Sequence, residues 1–149
     1  MMASYICNST TETDALARRM GALLQPGDIL AYRGGMGAGK TTFTRGLAAG
    51  MGIDDWVSSP TFALVHEYRG AKGQQLFHFD MYRIQGFDDL YSTGFFDYLE
   101  SGGVLAVEWS EHIEGALPEG TIIIEFEILG EESRRITIKG GHRFENLGD

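Results

Sequence analysis

Cysteine is nearly absent from this 149-residue sequence: Cys7 stands alone, so no internal disulfide can form and a reducing compartment is expected. Long apolar runs are missing as well, and the N-terminus lacks the pattern of a secretory leader. The expectation is a cytoplasmic protein with no membrane contact. Basic residues are few, 12 against 21 acidic, for a formal net charge of −9. Such a surface repels a phosphate backbone, which argues against unaided nucleic-acid binding. Only a local patch such as Arg134-Arg135 offers an exception. With only 3 prolines and no repeats, low-complexity tract or linker, the length fits one domain with a real core.

Glycine is plentiful, and one glycine-rich stretch organises the rest. Gly34-Gly35-Met36-Gly37-Ala38-Gly39-Lys40-Thr41 fits the phosphate-cradling pattern G-x-x-x-x-G-K-[ST]. The apolar run Asp28 to Tyr32 precedes it as a buried strand, and a helix opens at Thr41 and runs to about Met51-Gly52. Glycines let the backbone aim several N–H groups at one anion, and the helix start adds its dipole. Lys40 is then placed for the β- and γ-phosphates and the Thr41 hydroxyl for magnesium. A glycine-rich turn matching by accident is the bland alternative, and the strand–loop–helix context argues against it.

Around this centre the chain alternates. Ser4 to Cys7 reads as a short strand. Ser9 and Glu12 have capping-box spacing, opening a helix with Leu16, Met20, Leu23 and Leu24 on one face. Ser58 to Thr61 is turn chemistry; Phe62 to Tyr68 and Gln75 to Asp80 read as a hairpin. Phe87 to Leu99 is helical with a break at Gly94. Val104 to Val107 is a strand buried on both faces. Ser110 to Leu117 reads as a short helix or turn, Thr121 to Leu129 and Arg134 to Lys139 as a second hairpin, and residues from Gly140 onward as a loosely held tail. The pattern predicts a single three-layer α/β domain, a P-loop NTPase fold with a mixed, partly parallel sheet and flanking hairpins.

Ligands in such folds sit beyond the carboxyl ends of the strands. Two predicted strands end there in a carboxylate, Asp80 and Glu108. Phosphoryl transfer needs metal-borne charge and a group that orients the attacking water, and two acids beside a P-loop can serve both. Each alone reads equally well as a solvated strand-end charge. Of the two, Glu108 is expected closer to the metal and Asp80 in the water-orienting place. The hydroxyls of Ser59-Pro60-Thr61 are equally a γ-phosphate sensor or a plain turn. Trp109 can cover the nucleotide or a partner surface, though a place in the core is the commoner fate of such a residue, and His78 reads as a hydrogen-bonded structural histidine. No histidine has metal-ligand spacing. Guanine-reading N-K-x-D and D-x-x-G elements are missing, so ATP is the expected nucleotide.

With these residues in hand, the chain resembles the TsaE (YjeE) family. Gly37 to Thr42, Ser59-Pro60-Thr61-Phe62, the H-x-D-x-Y-R run His78 to Arg83, and Glu108-Trp109 occur in the family's order and spacing. Gly35-Met36 departs from it, where an acidic residue and leucine are commoner. The resemblance implies an ATPase that supports threonylcarbamoyl transfer to the adenosine beside the anticodon of tRNA. It implies a TsaB–TsaD heterodimer as partner, with tRNA met only through that pair. It further implies a nucleotide held by Gly35, Met36, Gly37, Ala38 and Gly39, with Lys40 and Thr42 on phosphates. Thr41 and Glu108 fall near Mg2+, Asp80 serves hydrolysis, and Thr11 and Arg134 flank the adenine. A small-molecule kinase and a nucleotide-gated binding module are the rival readings; the former lacks an evident basic lid.

Overall fold

The computed structural model describes residues 2–35, 37–54 and 65–147. The Ser58–Thr61 turn, the start of its predicted strand at Phe62 and the loop residue Met36 lie outside them.

Seven strands form one mixed sheet: β1 (Met2–Cys7), β2 (Ile29–Arg33), β3 (Val65–Arg69), β4 (Gln75–Asp80), β5 (Val104–Glu108), β6 (Ile122–Ile128) and β7 (Arg134–Lys139), in the spatial order β1-β7-β6-β2-β5-β4-β3. The central strands β4, β5, β2 and β6 run parallel, while β3 and the β7–β1 pair add antiparallel edges. Both predicted hairpins are present, and β5 is buried at Val104 through Val107 as its uninterrupted apolar run requires.

Helices cover both faces. On one side α1 (Thr10–Gly21) and α2 (Lys40–Gly50) bury Leu16, Met20, Phe43 and Leu47 against Leu30, Ala106 and Ile124. On the other, α3 (Phe87–Ser92) and α4 (Phe95–Glu100) bury Leu90 and Phe95 against Phe79, Leu105 and Val107. The break between α3 and α4 falls on Gly94, whose φ of 81° is a left-handed conformation. Layers of helix, sheet and helix result, the three-layer mixed α/β architecture of a P-loop protein.

Half of the predicted capping box forms: the Ser9 hydroxyl accepts from the Glu12 N–H at 3.1 Å. Helix α1 ends at Gly21, earlier than the apolar spacing suggests, so Leu23 is 42% exposed rather than on the core face. Glycines set how closely α1 and α2 meet. A Cβ on Gly50 would stand 2.1 Å from the Arg18 carbonyl oxygen, and one on Gly46 would stand 2.6 Å from the Ala17 methyl.

Residues 141–147, which the sequence reading assigns to a loosely held tail, pack onto the domain. Phe144 and Leu147 are buried in the core under α1 and the sheet. Arg143 grips Asp28 through two contacts of 2.8 Å, Arg19 donates to the Leu147 carbonyl at 2.9 Å, and the Tyr5 hydroxyl donates to the Phe144 carbonyl. Its polar composition hid two apolar anchors spaced three apart. No helix among the described residues is long and apolar enough to cross a membrane.

Candidate functional site

The glycine loop leaves β2 and enters α2 through Gly37 and Gly39, with φ of 77° and 93°. Gly39 is the N-cap of α2, and no side chain caps that end. Among the described residues no acceptor meets the N–H groups of Ala38, Gly39, Lys40, Thr41 or Thr42. Unpaired donors at a helix start make an anion site. Lys40 is 6% exposed and folds back on the loop, donating to the Gly34 carbonyl at 2.8 Å. Beneath it, the Thr44 hydroxyl donates to the Lys40 carbonyl at 2.8 Å and meets the buried Tyr32 hydroxyl.

Sheet register brings the acids to this loop. In the parallel pair β4–β5, Asp80 stands opposite Glu108 at the carboxyl ends. Side chains alternate faces along a strand. Leu76, Val104 and Ala106 pack in the α1–α2 core, so His78, Asp80 and Glu108 point to that same face. Glu108 Oε1 lies 3.5 Å from Lys40 Nζ, and Oε2 lies 2.6 Å from His78 Nε2, which has no well-aligned hydrogen bond. Burial pushes the Glu108 carboxyl up, but contact with His78 and the charge of Lys40 outweigh it and hold the group below its ordinary value. Asp80 is exposed, and its Oδ1 accepts from the Tyr82 N–H at 3.0 Å.

Trp109 is the one non-glycine residue with positive φ, 57°, among the described residues. That turn swings its indole over Lys40, 5.0 Å from ring centroid to Nζ, and against Tyr82 at 5.0 Å and His112 at 5.8 Å. It neither sinks into the core nor stands free: half-buried, it forms a wall of the cleft.

These groups share one cleft of about 760 Å³, whose lining runs from Gly37 through Thr42 and includes Asp80, Tyr82, Glu108, Trp109, Thr10 and Arg134. Gly35 is exposed on the preceding turn, and Thr11 is the exposed neighbour of Thr10. Arg134 reaches across from β7 to the loop carbonyls of Gly37 and Ala38 at 2.9 and 3.2 Å. A second cavity of about 270 Å³ opens at the opposite end of the sheet, lined by Gln74, Gln75, glycines and Pro26 with no charged side chain.

Sequence reasoning placed Lys40, Asp80 and Glu108 together. The roles of Tyr82 as a ring partner of Trp109 and of Arg134 as a loop contact went unread. Period-two alternation from Asp80 back to His78 was the available signal that His78 underlies the site. No sequence signal joins Arg134 to Gly37, 97 positions apart.

The donor set suits magnesium. Among the described residues no group of three His, Cys, Asp or Glu could hold a metal by itself. Magnesium at a nucleotide site takes one or two protein oxygens plus phosphate and water, and the Thr41 hydroxyl and Glu108 are the oxygens that could hold such an ion.

Residues 7–136 match a family model described as "Threonylcarbamoyl adenosine biosynthesis protein TsaE". The chain is similar to the tRNA threonylcarbamoyladenosine biosynthesis protein TsaE of Bacillus subtilis, 41% identical over 91% of this chain and 85% of that one. It is likewise similar to that of Aquifex aeolicus, 37% identical over 93% and 96%. A crystal structure of YdiB from Bacillus subtilis superposes with a TM-score of 0.76 at 36% identity, covering 99% of this chain and 92% of that one. Likeness thus runs along nearly the whole chain, and the chain belongs to the TsaE family of threonylcarbamoyl adenosine biosynthesis proteins.

Proposed function

We propose that the chain binds ATP with Mg2+ in the cleft and hydrolyses it in the cytoplasm, supporting threonylcarbamoyl transfer to the adenosine beside the anticodon of tRNA together with a TsaB–TsaD pair. The observation that carries the reading is a run of loop N–H groups, Ala38 to Thr42, without an acceptor among the described residues, on residues that line the same cleft as Lys40, Asp80 and Glu108. Lys40 exchanges the Gly34 carbonyl and Glu108 for the β- and γ-phosphate oxygens, and the N–H of Thr42 joins the cradle. Thr41 and Glu108 would hold the magnesium, which when bound neutralises phosphate charge. Asp80, solvated and adjacent to Glu108, orients the attacking water. The base lies toward Thr11 and Arg134. A net charge of −9 fits a protein that meets tRNA only through its partners.

The transition state of phosphoryl transfer calls for an added cation, often from another chain. Among the described residues Lys40 and Arg134 are the cations lining this cleft, and the latter is spent on backbone carbonyls. Hydrolysis by the isolated protein is therefore expected to be slow and to rise with the TsaB–TsaD pair. A steady-state ATPase assay with and without that pair, beside a tRNA-modification assay, tests it. Fast turnover unaffected by partners and without effect on modification would overturn the reading. Phosphate arriving on a small acceptor would point instead to a kinase.

A further inference from the structure

The glycine loop is held in shape from outside itself. Arg134, at the start of β7, sends Nε to the Ala38 carbonyl at 3.2 Å and Nη2 to the Gly37 carbonyl at 2.9 Å. Its Nη1 donates to the carbonyls of Gly130 and Ser133, each at 2.9 Å, and of Glu131 at 3.3 Å. One guanidinium therefore ties two consecutive loop peptides to the turn that joins β6 to β7. A planar fork with fixed donor directions can do this; a single ammonium cannot.

The consequence follows from peptide geometry. A trans peptide points its C=O and its N–H in opposite directions, and the described residues contain no cis bond. Drawing the Gly37 carbonyl onto Arg134 turns the Ala38 N–H away from it; drawing the Ala38 carbonyl does the same to the Gly39 N–H. Neither N–H meets an acceptor among the described residues. Glycine at 37 and 39 leaves the loop free to adopt other conformations, with open space around both positions. Without a tether, the ordering entropy of the loop would fall on ligand binding.

We propose that Arg134 is a positioning residue for the phosphate cradle: its guanidinium holds the Gly37 and Ala38 carbonyls outward so that the Ala38 and Gly39 N–H groups face the polyphosphate. This rests on the reading of the cleft as a nucleotide site, and it assigns Arg134 to the loop rather than to recognition of the base. The β6–β7 turn thereby becomes part of the site's frame.

The test compares wild type, Arg134→Lys and Arg134→Ala for binding of ATP, GTP and inorganic tripolyphosphate, each with Mg2+, by calorimetry. Thermal unfolding reports the fold in parallel. Loss of two charge-assisted bonds predicts affinity weaker by on the order of tenfold or more. The loss should be equal for ATP, GTP and tripolyphosphate, because the loop serves the phosphates alone. It should be nearly as large for lysine as for alanine, since charge without the fork does not hold two carbonyls. Should Arg134→Ala lose its thermal transition, Arg134→Lys carries the decision. A loss confined to ATP, with tripolyphosphate unchanged, would mean direct contact with the base and overturn the proposal. Unchanged affinity for every ligand would overturn it as well. Wild type binding neither nucleotide nor tripolyphosphate is a different result, which would remove the nucleotide reading itself.

Discussion

At the scale of the residue, charge contacts decide the site. Lys40 is held by the Gly34 carbonyl, Glu108 and the face of Trp109. Lys40→Ala leaves Glu108 with His78 as partner, so the fold should persist while ATP affinity falls. One charge-assisted bond contributes about 1.5–3 kcal/mol, or roughly ten- to a hundredfold in Kd. Normal binding by the variant, measured by calorimetry, would break the P-loop assignment. Asp80→Asn and Glu108→Gln should both depress hydrolysis, and a magnesium titration separates them. A raised metal requirement is expected for Glu108→Gln alone; finding it only in Asp80→Asn would reverse the two roles. Glu108 also predicts a pH effect. Its carboxyl is held below its ordinary value, burial opposing and His78 and Lys40 prevailing. The ionised form thus contributes stability that is present above the ordinary glutamate value and lost as pH falls through the depressed one. The stability gap between wild type and Glu108→Gln should accordingly close toward acid pH. Urea unfolding at a series of pH values measures it, and a gap that widens in acid contradicts the contact.

At the scale of the element, helix α2 presents the loop, and its depth is set by contact with α1. Alanine at Gly50 adds up to about 1 kcal/mol in helix propensity. Its Cβ, however, would fall 2.1 Å from a backbone oxygen of α1, which cannot swing aside as a side-chain tip would. Overpacking of this kind costs about 1–3 kcal/mol, so Gly50→Ala should destabilise on balance. Thermal unfolding reads the outcome, and a rise in the midpoint would show that α1 and α2 can slide apart freely. Serine at position 9 caps α1 visibly in both sequence and structure, because a cap is a local contact of three residues. The end of α1 was not equally legible. Leu23 and Leu24 continue the helical spacing, yet the chain turns at Gly21 where the Leu47 carbonyl of α2 lies 2.3 Å from a would-be Cβ.

At the scale of the whole molecule, the C-terminal segment closes the core. Removing residues 140–149 strips out Phe144 and Leu147 and frees Asp28 from Arg143. Burying a large apolar side chain stabilises by about 1.5–3 kcal/mol, so the loss is at least about 3 kcal/mol and the midpoint should drop by on the order of 10 °C. A truncated chain as stable as the full one would restore the expectation of a loose tail. Nucleotide binding by survivors of that truncation should be retained, since the segment lies against α1 and β1 and not in the cleft.

The sequence alone determined what local chemistry determines. A glycine loop between an apolar strand and a helix fixes an anion cradle, because strand, turn and helix follow from nearest neighbours. An apolar run ending in a carboxylate marks a buried strand with a charge at its open end, which placed Asp80 and Glu108 at the strand ends before their neighbours were known. Only the tertiary structure decided which groups touch. Parallel pairing put Asp80 beside Glu108 on one face, and the sheet order brought β2 next to β5 and β6. From that order follow the contact of His78 with Glu108, the indole of Trp109 over Lys40, and the reach of Arg134 to Gly37 across 97 positions. Contacts between residues far apart in sequence depend on the register of strands and the packing of helices, which no local pattern encodes.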